Sequence, residues 1–384
     1  MLYQPCFSSQ VCSPTQFCLS SSCFPRTLLP LAAHELLSGL LLFVLAGLAA
    51  ASGLTTMGIS GLVLLFLNGF GVKQTVPMLQ LLTVGVAGAG LGGSQWQAGE
   101  YRTGLQRWVF MLLGNYYGVR VFAALPDAAI LALVALGMAF GGCELSKRAQ
   151  LTECNSQDLR NALHARPTKV RRTYSRLHSL PLKRLFLPFC MLLATVCTIF
   201  LLGGPALPSF ASIQPCSDLF WTVTAIYTAF GVLLAVFGQY IDKQMALLSK
   251  SDCLGAVLTG FCSGIAGLSS EIYIAPVLFT VSAQTEPRPQ ALPASLLVCA
   301  STAFLHYAVQ GSVAYTFALW QAVWAVCGAF TGVLLREKLR GSACLRLLAL
   351  LHAVAAGLVP LYAVLLVLQL LRTGLSPISL LPLC

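Results

Sequence analysis

The feature that most constrains this chain is a succession of apolar runs, each close in length to the hydrocarbon core of a bilayer. They cover residues 36–51, 54–70, 76–94, 107–123, 127–143, 186–204, 219–240, 253–267, 268–282, 292–310, 315–335 and 347–371. A helix crossing hydrocarbon needs about 20 mostly apolar residues. Charged residues make up 9% of the 384 positions, against roughly 25% in a soluble domain. With so little charge, a globule of this size has no polar coat to present to water. Period-two alternation is absent, and an open sheet has no way to satisfy its edges in lipid. The expected fold class is an all-α polytopic membrane protein of about 10–12 hydrophobic segments.

The net charge of +11 is gathered into loops. Residues 144–184 hold Lys147, Arg148, Arg160, Arg166, Lys169, Arg171, Arg172, Arg176, Lys183 and Arg184 against Glu144, Glu153 and Asp158. A second basic patch runs from Arg336 to Arg346. Basic loops between apolar spans mark the cytoplasmic side, so nucleic acid is not an expected partner; the bilayer and a small solute are. Counting crossings with the N-terminal tail outside places both basic loops inside. The chain then divides into a tail (1–30), a first transmembrane repeat (31–143), a basic cytoplasmic loop (144–184), linking helices (185–250) and a second repeat (251–384). The expected location is the plasma membrane or an endomembrane.

Of 15 cysteines, four lie in the tail: Cys6, Cys12, Cys18 and Cys23. An even count in a short polar segment points to two disulfides in an oxidising compartment. A zinc site is the weaker alternative, since no close Cys pair or His ladder accompanies them. The pairing is not legible. Residues 1–30 lack a basic n-region and a long apolar h-region, so the tail is expected to cross with the first span or to follow an upstream start.

Two stretches resemble one another. Residues 52–77 and 263–293 both begin Ser-Gly, pass through small residues into a short apolar run, and meet a proline (Pro77, Pro293) before the next long span. The offset is roughly 210 residues, and the crossing count makes the copies inverted. Inverted repeats with Gly-interrupted segments at matching positions point to a transporter. A helix broken at mid-membrane frees N–H and C=O groups for a solute. Small-residue packing between helices is the competing explanation.

At these residues the chain resembles the sulfite exporter TauE/SafE family of permeases. The tail Cys6 to Cys23, followed by Phe24-Pro25, is similar to the start of eukaryotic members. The family's first Gly-rich run falls on Ser52, Gly53, Leu54, Thr55, Thr56, Met57 and Gly58, and its Lys-x-Ala-x-Pro-like turn on Lys73 to Pro77. The second run falls on Gly264 to Gly267, Leu268, Ser269, Ser270 and Glu271, with Ala275-Pro276 as its final step. The resemblance implies a multi-span permease of small sulfur-containing or organic anions. Thr, Met, Ser and Glu replace most of the signature glycines, which puts sulfite itself in question.

The expected solute-binding residues are Ser52, Gly53, Thr55, Thr56, Gly58 and Gln80 from the first half, with Ser263, Gly264, Gly267, Ser269 and Ser270 from the second. Glu271 is the expected coupling or selectivity group, because an intramembrane carboxylate is costly without a role. His306 is a proton-relay candidate or a packing histidine. Arg120 is expected to snorkel from a span end. No G-x-S-x-G, H-E-x-x-H, P-loop or dinucleotide fingerprint is present, so neither an enzyme nor a cofactor or metal site is expected. The competing function is a non-transporting scaffold or receptor with a disulfide-bonded luminal tail.

Overall fold

The computed structural model describes residues 16–19, 22–25, 33–52, 54, 58–68, 70–93, 98–165, 182–204, 206–241, 250–268, 293–336, 338–339 and 341–372. Apart from a two-stranded hairpin in the tail, Gln16–Leu19 paired antiparallel with Ser22–Pro25, the described elements are helices. They are α1 (Ala33–Ala51), a short turn α2 (Ser60–Leu62) leading into a π-helical turn (Val63–Leu67), α3 (Val72–Gly93), α4 (Ala98–Ala124) and α5 (Asp127–Ala165). Then follow α6 (Leu182–Leu202), α7 (Asp218–Ile241), α8 (Lys250–Ala266), α9 (Pro293–Val309), α10 (Tyr315–Leu335) and α11 (Gly341–Arg372).

Several sequence boundaries shift. The apolar run 54–70 is not one helix but the short turn and the π turn, in which Asn68 N–H bonds the Val63 carbonyl at 3.4 Å. The polar turn Lys73–Pro77 is already helical. Residues 144–165, expected as the start of the basic loop, continue α5 without a break. Residues 268–282, apart from Leu268, lie outside the described residues.

The helices pack in pairs that repeat. α1 lies on α10 as α8 lies on α4; α3 on α10 as α9 on α4; α1 on α11 as α8 on α5. α3 packs on α9 and α5 on α11. This set of pairs is unchanged when α1, α3, α4 and α5 are exchanged with α8, α9, α10 and α11. Residue contacts sharpen this. A Cβ built on Gly114 would strike the Val257 carbonyl, and one on Gly118 the Phe261 carbonyl. One on Gly328 would strike the Phe43 carbonyl, and one on Gly332 the Gly47 carbonyl. The offset is 214 residues in each correspondence: 114 to 328, 118 to 332, 43 to 257, 47 to 261. In both seams glycine at four-residue spacing lets backbones touch, the small-xxx-small mode of helices that have no hydrophobic effect to drive them together.

The hand of the repeat follows from α5 and α11. Gly142 sits beside His352, and Glu153 is ion-paired to Arg346. Residue numbers therefore run in opposite directions, and the two helices are antiparallel. A two-fold that exchanges antiparallel neighbours lies perpendicular to them, so the two halves are inverted. α6 and α7 stand outside the repeat and pack on α4.

Asp127–Glu153, Tyr315–Leu335 and Gly341–Leu365 are long and apolar enough to cross a membrane, and five shorter helices, Glu35–Ala51, Phe189–Leu202, Asp218–Leu234, Cys253–Ala266 and Leu296–Val309, are similarly apolar. Their outward faces carry large hydrophobics such as Phe186, Ile226, Leu350 and Leu334. An exposed apolar coat on this scale belongs against lipid. The protein is all-α and membrane-embedded.

Candidate functional site

α1 and α8, equivalent in the repeat, end at equivalent places. α1 stops at Ala51, where the Ser52 hydroxyl and N–H return to the Leu48 carbonyl (2.8 and 3.1 Å) and Leu54 N–H reaches Ala49 (2.9 Å). α8 stops at Ala266, with Gly267 at φ +69°, a left-handed conformation that glycine adopts at little cost. At the 214-residue offset Gly53 corresponds to Gly267. The Ser52–Ser263 correspondence expected from sequence is thus out of register, and Ser52 matches Ala266 instead.

Gly61, in the short turn α2, and Gly267, at the end of α8, both lie against α3. A Cβ on Gly267 would lie 2.6 Å from the Leu79 Cδ2, and one on Gly61 3.6 Å from the same atom. Leu79 is itself buried, so α2 and the end of α8 pack on one side chain.

Ser263 and Gly264, expected in unwound backbone, belong to the last turn of α8. That turn leaves carbonyls without intrahelical partners. Gln80 Nε2 donates to the Ser263 carbonyl, and the Tyr307 hydroxyl donates to the Gly264 carbonyl. Gln80 is therefore turned toward a helix end, although its Oε1 is buried without a partner. The end of α1 closes on itself, whereas that of α8 is completed by side chains from α3 and α9.

Gly58 is buried at the start of the first short turn, and its carbonyl accepts from Gly61 N–H at 3.1 Å. Seven residues on from Gly61, Asn68 is fully buried with neither amide atom bonded. His306 is buried in α9 and stacked on Tyr116 at 5.5 Å between ring centroids, with Nδ1 unpartnered. Asn115 Nδ2 bridges α4 to α9 through the Cys299 carbonyl (2.9 Å) and Thr302 Oγ1 (3.2 Å). Gly53, Thr55, Thr56, Ser269, Ser270 and Glu271 lie outside the described residues, as do Cys6 and Cys12. Cys18 and Cys23 face one another in the register of the tail hairpin.

Sequence reading noted Asn115 as a polar residue in a span without giving it a role, and did not single out Tyr116 or Tyr307. A polar residue in an apolar run was the available signal, but the run does not reveal which helices meet there. Among the described residues no group of three or more His, Cys, Asp or Glu side chains is placed to hold a metal. Comparison with family models, curated proteins and solved structures returns no match.

Proposed function

We propose that this protein is a multi-pass secondary transporter of a small solute, a sulfur-containing or organic anion, driven by a proton or ion gradient. The observation that carries the reading is the inverted repeat, in which α1, α3, α4 and α5 pack as α8, α9, α10 and α11 do. An interrupted helix presents polar backbone at depth, and a pseudo-two-fold gives two related conformations whose exchange opens the site to either side. The TauE/SafE resemblance points the same way.

Orientation follows from chemistry at the two ends of α6. The connection 203–217 contains no Lys or Arg, and Cys216 within it is disulfide-bonded. The opposite end of α6 follows the basic stretch 166–184. Oxidised sulfur belongs outside and unpaired basic loops inside, so residues 203–217 are extracytoplasmic, together with the tail.

A second reading, a scaffold that moves nothing, is favoured by one detail: Leu79 fills the space between Gly61 and Gly267 rather than leaving it open. Flux decides between the two. In proteoliposomes under an imposed pH gradient, the carrier accumulates radiolabelled methanesulfonate, taurine or acetate. No gradient-dependent uptake of any sulfonate, sulfur oxyanion or organic acid overturns transport and leaves the scaffold.

A further inference from the structure

Arg120 sits one turn before the end of α4, half-buried, with two aromatic rings around its guanidinium. The guanidinium Cζ lies 5.0 Å from the Tyr116 ring centroid and 4.5 Å from that of Phe220, the third residue of α7. Among the described residues it makes no ion pair, and its Nε is buried without an acceptor. His306 also stacks on Tyr116, is 4% exposed, and its Nδ1 is unpartnered as well. Tyr227 closes over Tyr116 at 4.6 Å and is held by Thr195 at 3.0 Å.

The inverted repeat supplies a control within the same chain. At the 214-residue offset, Tyr116 corresponds to Phe330, Arg120 to Leu334 and His306 to Gly92. The second half folds with apolar or small residues there, so the architecture does not require a cation and an imidazole. The α6–α7 pair, which has no counterpart, covers the polar version of this face; the equivalent α10 residues Phe330 and Leu334 are exposed.

Arg120 is half-buried, and a guanidinium partly withdrawn from water with no counter-charge among the described residues is held at a cost. A bound anion offsets that cost. Arginine's planar fork matches two oxygens of a carboxylate or sulfonate, and cation–π contacts leave its N–H edge free to donate. We infer that Arg120, with His306 as second donor, binds a small mono-anion bearing a carboxylate or sulfonate group, between α4, α7 and α9. Tyr116 and Phe220 position the guanidinium. The role of this site in choosing cargo rests on the transport reading; the binding itself does not.

The test uses the full-length chain in detergent, unfolded thermally with methanesulfonate or acetate against chloride at equal ionic strength, and with uncharged dimethyl sulfone. The two anions are expected to stabilise saturably and the sulfone not at all. Arg120→Gln weakens the apparent affinity about tenfold or more, as loss of a charge-assisted hydrogen bond does. Arg120→Lys weakens it less, and Leu334→Gln, at the equivalent position, leaves it unchanged. Should Arg120→Gln fail to fold by circular dichroism and gel filtration, Arg120→Lys and His306→Gln carry the comparison. Equal stabilisation by the sulfone, or anion affinity unchanged in the Arg120 variants, overturns the site. Binding that depends on Arg120 in a protein without flux keeps the site and discards transport; flux indifferent to Arg120 keeps transport and discards the site's role in choosing cargo.

Discussion

Leu79 illustrates how one apolar side chain carries a functional arrangement. It fills the space beside Gly267 and beside Gly61, so α2 and the end of α8 pack on it. Leu79→Ala removes those contacts and leaves a cavity. The expected cost is about 2–5 kcal/mol, read as a lower unfolding temperature, together with faster and less gradient-dependent flux in proteoliposomes. A variant as stable and as tightly coupled as the wild type denies Leu79 this role. The Glu153–Arg346 pair makes a contrast. Its side chains are 40% and 61% exposed, and an exposed pair contributes about 1 kcal/mol or less. Arg346→Ala is expected to shift stability by no more than that, although the pair marks the antiparallel register of α5 and α11.

At the scale of elements, the two glycine seams join the halves. Neither seam has a side chain between its backbones at the contact points, so packing there is all-or-none. Gly118→Val places a branched side chain on the Phe261 carbonyl, and Gly332→Val places one on the Gly47 carbonyl. Each is expected to destabilise by about 2 kcal/mol or more, and the inverted repeat requires the two losses to be similar. Gly357→Ala, with nothing within 4 Å of the new Cβ, serves as control and should be neutral or stabilising by up to about 1 kcal/mol. Thermal unfolding of the three variants in one detergent checks the set. A large loss at Gly118 beside none at Gly332 contradicts the equivalence of the seams.

For the molecule as a whole, inversion and orientation together fix which end of each helix meets which solution. Phe210 and Lys338 are exposed at opposite ends of the helical array under the proposed topology. Phe210→Cys is expected to react with a membrane-impermeant maleimide on intact cells, and Lys338→Cys only after permeabilisation. The reversed pattern inverts the orientation; labelling of both from one side breaks the inverted arrangement itself.

Apolar runs and scarce charge were enough to determine that this chain is helical and lies in lipid, because those properties follow from local composition and the solvent it demands. Two related halves were also expected, from Ser-Gly, a short run and a proline recurring at a similar distance, but the residues that suggested them are not equivalent ones. Ser52 and Ser263 look alike in sequence, but helix ends are set by what completes their last carbonyls. For α8 those groups are Gln80 and Tyr307, which reach Ser263 and Gly264 from helices distant in the chain. Arg120 likewise reads as an ordinary span-end arginine until α7 and α9 set Phe220 and His306 around it. Only tertiary packing decides whether a polar residue in an apolar run faces lipid, a neighbour or a ligand, because periodicity identifies a helix face but not what covers it.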